Sequence, residues 1–124
     1  RDSAYLVPPD MISYSATKAS MHAVSRGLAH ITRGTQVTSN VIVPGSTLTK
    51  GAKNFLNEKA VTQNTSMDNI EKDFFNNTRT SSLLERFASK DEVANTITYL
   101  CSPLSSATNG SVIKVDGGSS GGIL

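Results

Sequence analysis

One cysteine, no tryptophan and four prolines are spread over 124 residues. The lone Cys101 excludes an intramolecular disulfide, and with only His22 and His30 beside it the chain has no metal-ligand spacing. Cys101 reads as a small buried apolar residue at a helix end rather than a reactive thiol. No run approaches the roughly 18 apolar residues that cross a bilayer, and Arg1-Asp2-Ser3-Ala4-Tyr5 does not open a signal peptide. No membrane association is expected, and the expected compartment is the cytoplasm. An excess of one charge is also missing. Twelve Lys and Arg against ten Asp and Glu give a net charge of +2, scattered without a basic stripe or an acidic tail. That balance argues against nucleic acid as a partner.

What is present is the composition of a globular domain, 37% hydrophobic and 18% charged. Ala4-Tyr5-Leu6-Val7 reads as the end or exit of a strand, broken by Pro8-Pro9-Asp10. From Ile12 to Arg33 there is no proline, and Ala16, Ala19, Ala23, Val24, Leu28 and Ile31 recur at helical spacing, which predicts a long helix ended near Gly34. Ala16, Ala19, Ser20, Ala23 and Gly27 are small, so a neighbour can approach closely there. The β-branched stretch from Val37 to Val43 predicts a strand covered on both faces, as in a parallel sheet, closed by Pro44-Gly45. A short helix around Asn54-Phe55-Leu56 and another from Asp68 to Asn77 follow. Ser89-Lys90-Asp91-Glu92 is a capping box, and the helix it opens is expected to turn Val93, Ile97, Leu100 and Cys101 inward before Pro103. A turn at Thr108-Asn109-Gly110 leads to a strand at Val112-Ile113-Lys114-Val115, ended by Asp116-Gly117-Gly118. This alternation is the second half of a βα domain, and its few strands need further strands to complete a covered parallel sheet.

Tyr14 and Lys18 are four apart at the start of the long helix, on one face and roughly 6 Å from each other. A free tyrosine titrates near 10, and an ammonium one turn away favours its ionised form, the direction needed for proton exchange with a carbonyl or alcohol oxygen near neutrality. The spacing alone is common.

Its setting is less so. Tyr14-Ser15-Ala16-Thr17-Lys18-Ala19 is followed by Asn40-Val41-Ile42-Val43-Pro44-Gly45, then Arg86-Phe87-Ala88 with Glu92-Val93-Ala94, then Val115-Asp116-Gly117-Gly118. In this order they resemble the classical short-chain dehydrogenase/reductase family over nearly the whole chain. The resemblance implies an α/β fold, residues 1-124 being the C-terminal half of a Rossmann-like, doubly wound parallel-sheet domain whose dinucleotide-binding half is absent. It makes Tyr14 the general acid/base and Lys18 its partner, which hydrogen-bonds the nicotinamide ribose. It assigns Pro44, Gly45, Thr47 (through its backbone) and Thr49 (through its hydroxyl) to the nicotinamide carboxamide, and residues 49-83 to the variable region that covers the substrate. Phe55, Phe74 and Phe75 are the apolar candidates for a pocket wall there. The family's catalytic serine lies thirteen residues before the tyrosine, a position held here by Arg1, while Ser3 stands two residues nearer and is the alternative candidate.

The implied activity is hydride transfer between NAD or NADP and a small carbonyl or alcohol substrate, of the 3-oxoacyl carrier-protein reductase type as one guess. The implied assembly is a homo-oligomer, dimer or tetramer. No Gly-rich strand-to-helix turn that could cradle a pyrophosphate occurs in the chain, since Gly117-Gly118 to Gly121-Gly122 opens no helix. The competing expectation is a truncated, inactive fragment that serves only as an oligomerisation or interaction module.

Overall fold

A computed structural model of the chain describes residues 1–122. Its elements are α1 (Ser3–Leu6), α2 (Ile12–Ile31), β1 (Val41–Pro44), α3 (Lys50–Thr62), α4 (Met67–Asp73), α5 (Lys90–Leu100) and β2 (Val112–Val115). The two strands pair in parallel, Val41 opposite Val112 through Pro44 opposite Val115, as the α/β reading requires.

The first four-residue stretch is a helical turn and not a strand exit. The amides of Leu6 and Val7 return to the carbonyls of Asp2 and Ser3, closing the turn. Val7 is left-handed, at φ 40 and ψ 63. Pro8 disfavours the α region for its predecessor, so the turn cannot continue into α2. The Tyr5 ring lies 5.5 Å from His22 of α2 and 4.7 Å from the Lys114 ammonium of β2, tying α1 to both.

Helix α2 spans its predicted length and stops before Gly34 at φ 80. It turns Ser15, Lys18, His22, Ser25 and Ala29 towards the chain, a four-three spacing, and leaves Ala16, Ala19, Ser20, Ala23 and Gly27 exposed with Met21, Val24, Leu28 and Ile31. Burial lowers the His22 imidazole from its ordinary range.

Strand β1 is shorter than its β-branched run. Ser39 and Asn40 leave the ladder for the turn before β2: the Ser39 amide donates to Asn109 Oδ1, and Asn40 Nδ2 to the Thr108 carbonyl. Pairing begins only at Val41. At its other edge β1 meets the start of α1, where the Asp2 amide donates to the Pro44 carbonyl at 3.2 Å.

Between the strands the chain builds a small lobe. Thr49 caps α3, accepting the Ala52 amide, and Ser66 caps α4, accepting that of Asn69. Leu56, Ala60 and Ile70 form its core, with Leu48, Met67 and Phe87 packed against them. Helix α4 runs into a π turn over Phe74–Thr78. The capping box at Ser89 forms in full. Two expectations for α5 fail: Ile97 is 46% exposed and Cys101 is exposed, because the half-buried face of the helix is Val93, Thr96 and Leu100. No described helix is long and apolar enough to cross a membrane.

Candidate active site

Pro44, Gly45, Thr47 and Thr49 follow the C-terminal end of β1, and Asp116-Gly117-Gly118 that of β2. In parallel pairing Gly45 donates its amide to the Val115 carbonyl at 3.1 Å. A Cβ on Gly45 would sit 2.7 Å from both the Cα and the carbonyl oxygen of Asp116, so only glycine fits. This contact locks Pro44-Gly45 against Asp116-Gly117-Gly118. The second motif holds its own shape: the Asp116 carboxylate accepts the amides of Gly118 and Ser120 and the Ser120 hydroxyl.

Past Gly45 the loop forms one parallel bridge, Thr47 opposite Ala88. The bridge uses the Ser46 carbonyl, which accepts the Ala88 amide at 2.9 Å, and the Leu48 amide, which donates to Ala88 at 2.8 Å. In that geometry the amide and carbonyl of Thr47 point to the opposite side. The carbonyl takes the Thr49 amide at 2.8 Å, and the Thr47 hydroxyl donates to the Gly45 carbonyl. The Thr47 amide remains as a donor on that side.

A cleft of ≈ 440 Å³ opens there, bounded by Arg1, the loop from Pro44 to Thr49, and Ala52, Phe74 and Phe87. Its size suits a small ligand. Phe74 and Phe87 stack at 5.1 Å and 20° between planes, with Phe75 set edge-on to both and buried beneath them. Of the three phenylalanines singled out in the sequence, Phe74 therefore lines the cleft, Phe75 supports it, and Phe55 lies on the surface under Lys59. Phe87 was not singled out. Its signal was the triplet Arg86-Phe87-Ala88, which becomes legible as a wall only once Ala88 is bridged to Thr47.

Tyr14 and Lys18 stand one turn apart on α2, the ammonium 5.4 Å from the centre of the Tyr14 ring. Tyr14 is 38% exposed. Neither borders the cleft itself. The link between them is α1, which packs on α2 and whose preceding residue, Asp2, donates its amide to the Pro44 carbonyl. Ser3 is elsewhere: it is 1% exposed, and its hydroxyl has no protein partner. Asp2 and Ser15 are buried equally deeply, also without hydrogen bonds from their side chains, and the nearest cation to Asp2 is Arg1 Nε at 3.7 Å.

The Thr47 amide, the Thr49 hydroxyl and the Lys18 ammonium are donors of the kind a carboxamide and a ribose accept. Among the described residues the glycines after β2 make a closed turn around Asp116 and lead into no helix, so nothing there offers the amides of a pyrophosphate cradle.

The family model described as enoyl-(acyl carrier protein) reductase matches residues 2–120. Two uncharacterized oxidoreductases of Bacillus subtilis (strain 168) are similar in sequence: YvaG, 39% identical over 117 residues covering 94% of this chain and 44% of that one, and YvrD, 42% identical over 110 residues covering 89% and 42%. Among solved structures, L-sorbose reductase from Gluconobacter frateurii complexed with NADPH and L-sorbose superposes with a TM-score of 0.78 at 27% identity, over 89% of this chain and 41% of the reductase. The chain thus spans less than half the length of the relatives it matches.

Proposed function

The chain belongs to the short-chain dehydrogenase/reductase family, and from that premise we propose that it carries the proton-transferring half of an NAD(P)-dependent oxidoreductase acting on a small carbonyl or alcohol substrate. What supports this reading is the Tyr14 and Lys18 pair, one turn apart on α2, together with a loop whose Thr47 and Thr49 line the cleft. A bound dihydronicotinamide supplies the hydride to the carbonyl carbon. Everything else falls to the residues of the chain. Tyr14 gives its hydroxyl proton to the carbonyl oxygen as that oxygen gains charge, and takes it back in the reverse direction. Lys18 stabilises the phenolate left behind and hydrogen-bonds the ribose. The Thr47 amide and the Thr49 hydroxyl orient the carboxamide, with Pro44 and Gly45 forming the floor. Ser3, the buried first residue of α1, is the candidate for polarising the carbonyl.

Residues 49-83 form the substrate-covering region, and the segment needs a dinucleotide-binding half to hold the adenosine and pyrophosphate. NADP is the favoured cofactor, since the sorbose reductase that superposes on the chain was solved with NADPH. A 3-oxoacyl carrier-protein substrate is one option within the class. The exposed small-residue face of α2 supports a dimer or tetramer, and the cytoplasm is the proposed compartment. Alone, the 124 residues should be inactive. The test is direct: the segment joined to a dinucleotide-binding half should oxidise NADPH in the presence of carbonyl compounds, and the segment by itself should neither turn over nor bind NADPH at micromolar concentration. Absence of turnover across ketones, aldehydes and oxo acids in the joined protein would refute the reading.

A further inference from the structure

We propose that Glu71 is a positioning residue for the cofactor loop: from the lobe between the strands it fixes, through Phe87 and Ala88, the stretch of loop that carries Thr47. The inference rests on the reading above, that Thr47 and Thr49 orient the nicotinamide carboxamide. Two consecutive amides make the connection. That of Phe87 donates to Glu71 Oε1 on α4 at 2.9 Å, and that of Ala88 donates to the Ser46 carbonyl at 2.9 Å. The Ala88 carbonyl then accepts the Leu48 amide at 2.8 Å, so Thr47 is bracketed by two bonds to the neighbour of the residue that Glu71 holds. The hold is double. Phe74, three residues after Glu71, stacks on the Phe87 ring at 5.1 Å, so one helical run grips both the backbone and the ring of Phe87.

Among the described residues the Glu71 carboxylate has this bond and no ion pair. Arg86, the cation next to Phe87, is taken by Glu92 through both Nη groups. Glu71 and Phe87 are both half-buried, so removing the acceptor leaves a donor that water only partly satisfies. A bond to a carboxylate is also stronger than one between neutral groups. The bridge it steadies has little else to keep it in register. Thr47 opposite Ala88 is an isolated pairing with no flanking ladder, and its position depends on what holds residues 86–88 from the other side. Arg86 is held there by α5 through Glu92, and Phe87 by α4 through Glu71. Of these two holds, the one on Phe87 is adjacent to the bridge.

The test uses the intact enzyme with NADPH and a ketone that it reduces, and three variants. Glu71→Ala should raise KM for NADPH by about 10-fold while changing KM for the ketone by less than about 2-fold. Glu71→Asp keeps the charge but falls one methylene short of Phe87, and should behave like the alanine variant. Glu71→Gln keeps a carbonyl oxygen at full reach and should recover most of the loss. Amide hydrogen exchange on the same proteins supplies a second readout: Glu71→Ala should speed exchange at Leu48 and Ala88 by about 10-fold relative to the amides of α2. A glutamine variant as impaired as alanine, an aspartate variant equal to the parent, or KM for NADPH unchanged throughout would overturn the inference. So would exchange at Leu48 and Ala88 that rises no more than in α2. If the alanine variant does not fold, the aspartate and glutamine variants decide by the same criteria. A parent enzyme that turns over no carbonyl compound would remove the functional reading, and the exchange measurement would then decide the coupling by itself.

Discussion

Replacing Gly45 with alanine would place a methyl carbon 2.7 Å from both the Cα and the carbonyl oxygen of Asp116. Carbon atoms rest at about 3.5–4.0 Å from each other, so the two backbones would have to part by roughly 1 Å. Neither side yields easily. Gly45 is bonded to Val115, and Asp116 is fixed by its own carboxylate on Gly118 and Ser120. Overpacking of this kind costs about 1–3 kcal/mol, or roughly a 5- to 150-fold shift in the folding equilibrium. The cost falls where the cleft loop leaves the sheet, so kcat/KM should drop together with stability. Gly51→Ala is the matched control, because its Cβ would meet only Thr49 Oγ1 at 3.9 Å and a helical alanine is favoured over glycine by up to about 1 kcal/mol. Urea unfolding of the intact protein should therefore move the two midpoints in opposite directions. A Gly45→Ala midpoint equal to that of the parent would refute the close approach of the two motifs.

Three further outcomes are expected. Leu56→Ala, which empties the centre of the small lobe at a residue 1% exposed, should cost about 2–5 kcal/mol in the same unfolding assay; a cost under about 1 kcal/mol would mean that the lobe is not packed. Ser89→Ala should lose about 1 kcal/mol of helix-capping stability, and an unchanged midpoint would contradict the observed capping box. Hydrogen bonds from the Arg86 guanidinium, and then from the Ser89 amide, pull the Glu92 carboxyl from its usual 4.5 to about 2. Because the folded value is the depressed one, this contribution is complete above pH 4.5 and disappears as the pH falls through about 2. Glu92→Gln should flatten that part of the acid unfolding curve, and curves that superimpose would speak against the pairing.

The features legible in the sequence are those carried by local chemistry. The capping box needs only Ser89 and Glu92, and it forms as read. Pro44-Gly45 ends its strand because proline lacks a donor and glycine alone tolerates Asp116. Tyr14 and Lys18 share a face because a helix repeats every 3.6 residues. What was misread depended on partners distant in the sequence. Ser39 and Asn40 have strand-like neighbours, yet their hydrogen bonds go to the turn before β2. Val7 is β-branched and gives no hint of a left-handed turn, which follows from the closed bonds of α1 and from Pro8. Ile97 and Cys101 carry an inward pattern with nothing in this segment to cover them. In the candidate site, Phe87 joins the wall through a bridge between residues 41 positions apart, and no local pattern encodes that.

The central claim, that Tyr14 moves the proton, is tested most directly by Tyr14→Phe in the intact enzyme, with turnover and NADPH affinity measured side by side. Loss of the hydroxyl should abolish turnover and leave NADPH affinity nearly unchanged, because the ring keeps its place beside Lys18 on α2. Turnover retained at the parent rate would contradict the assignment.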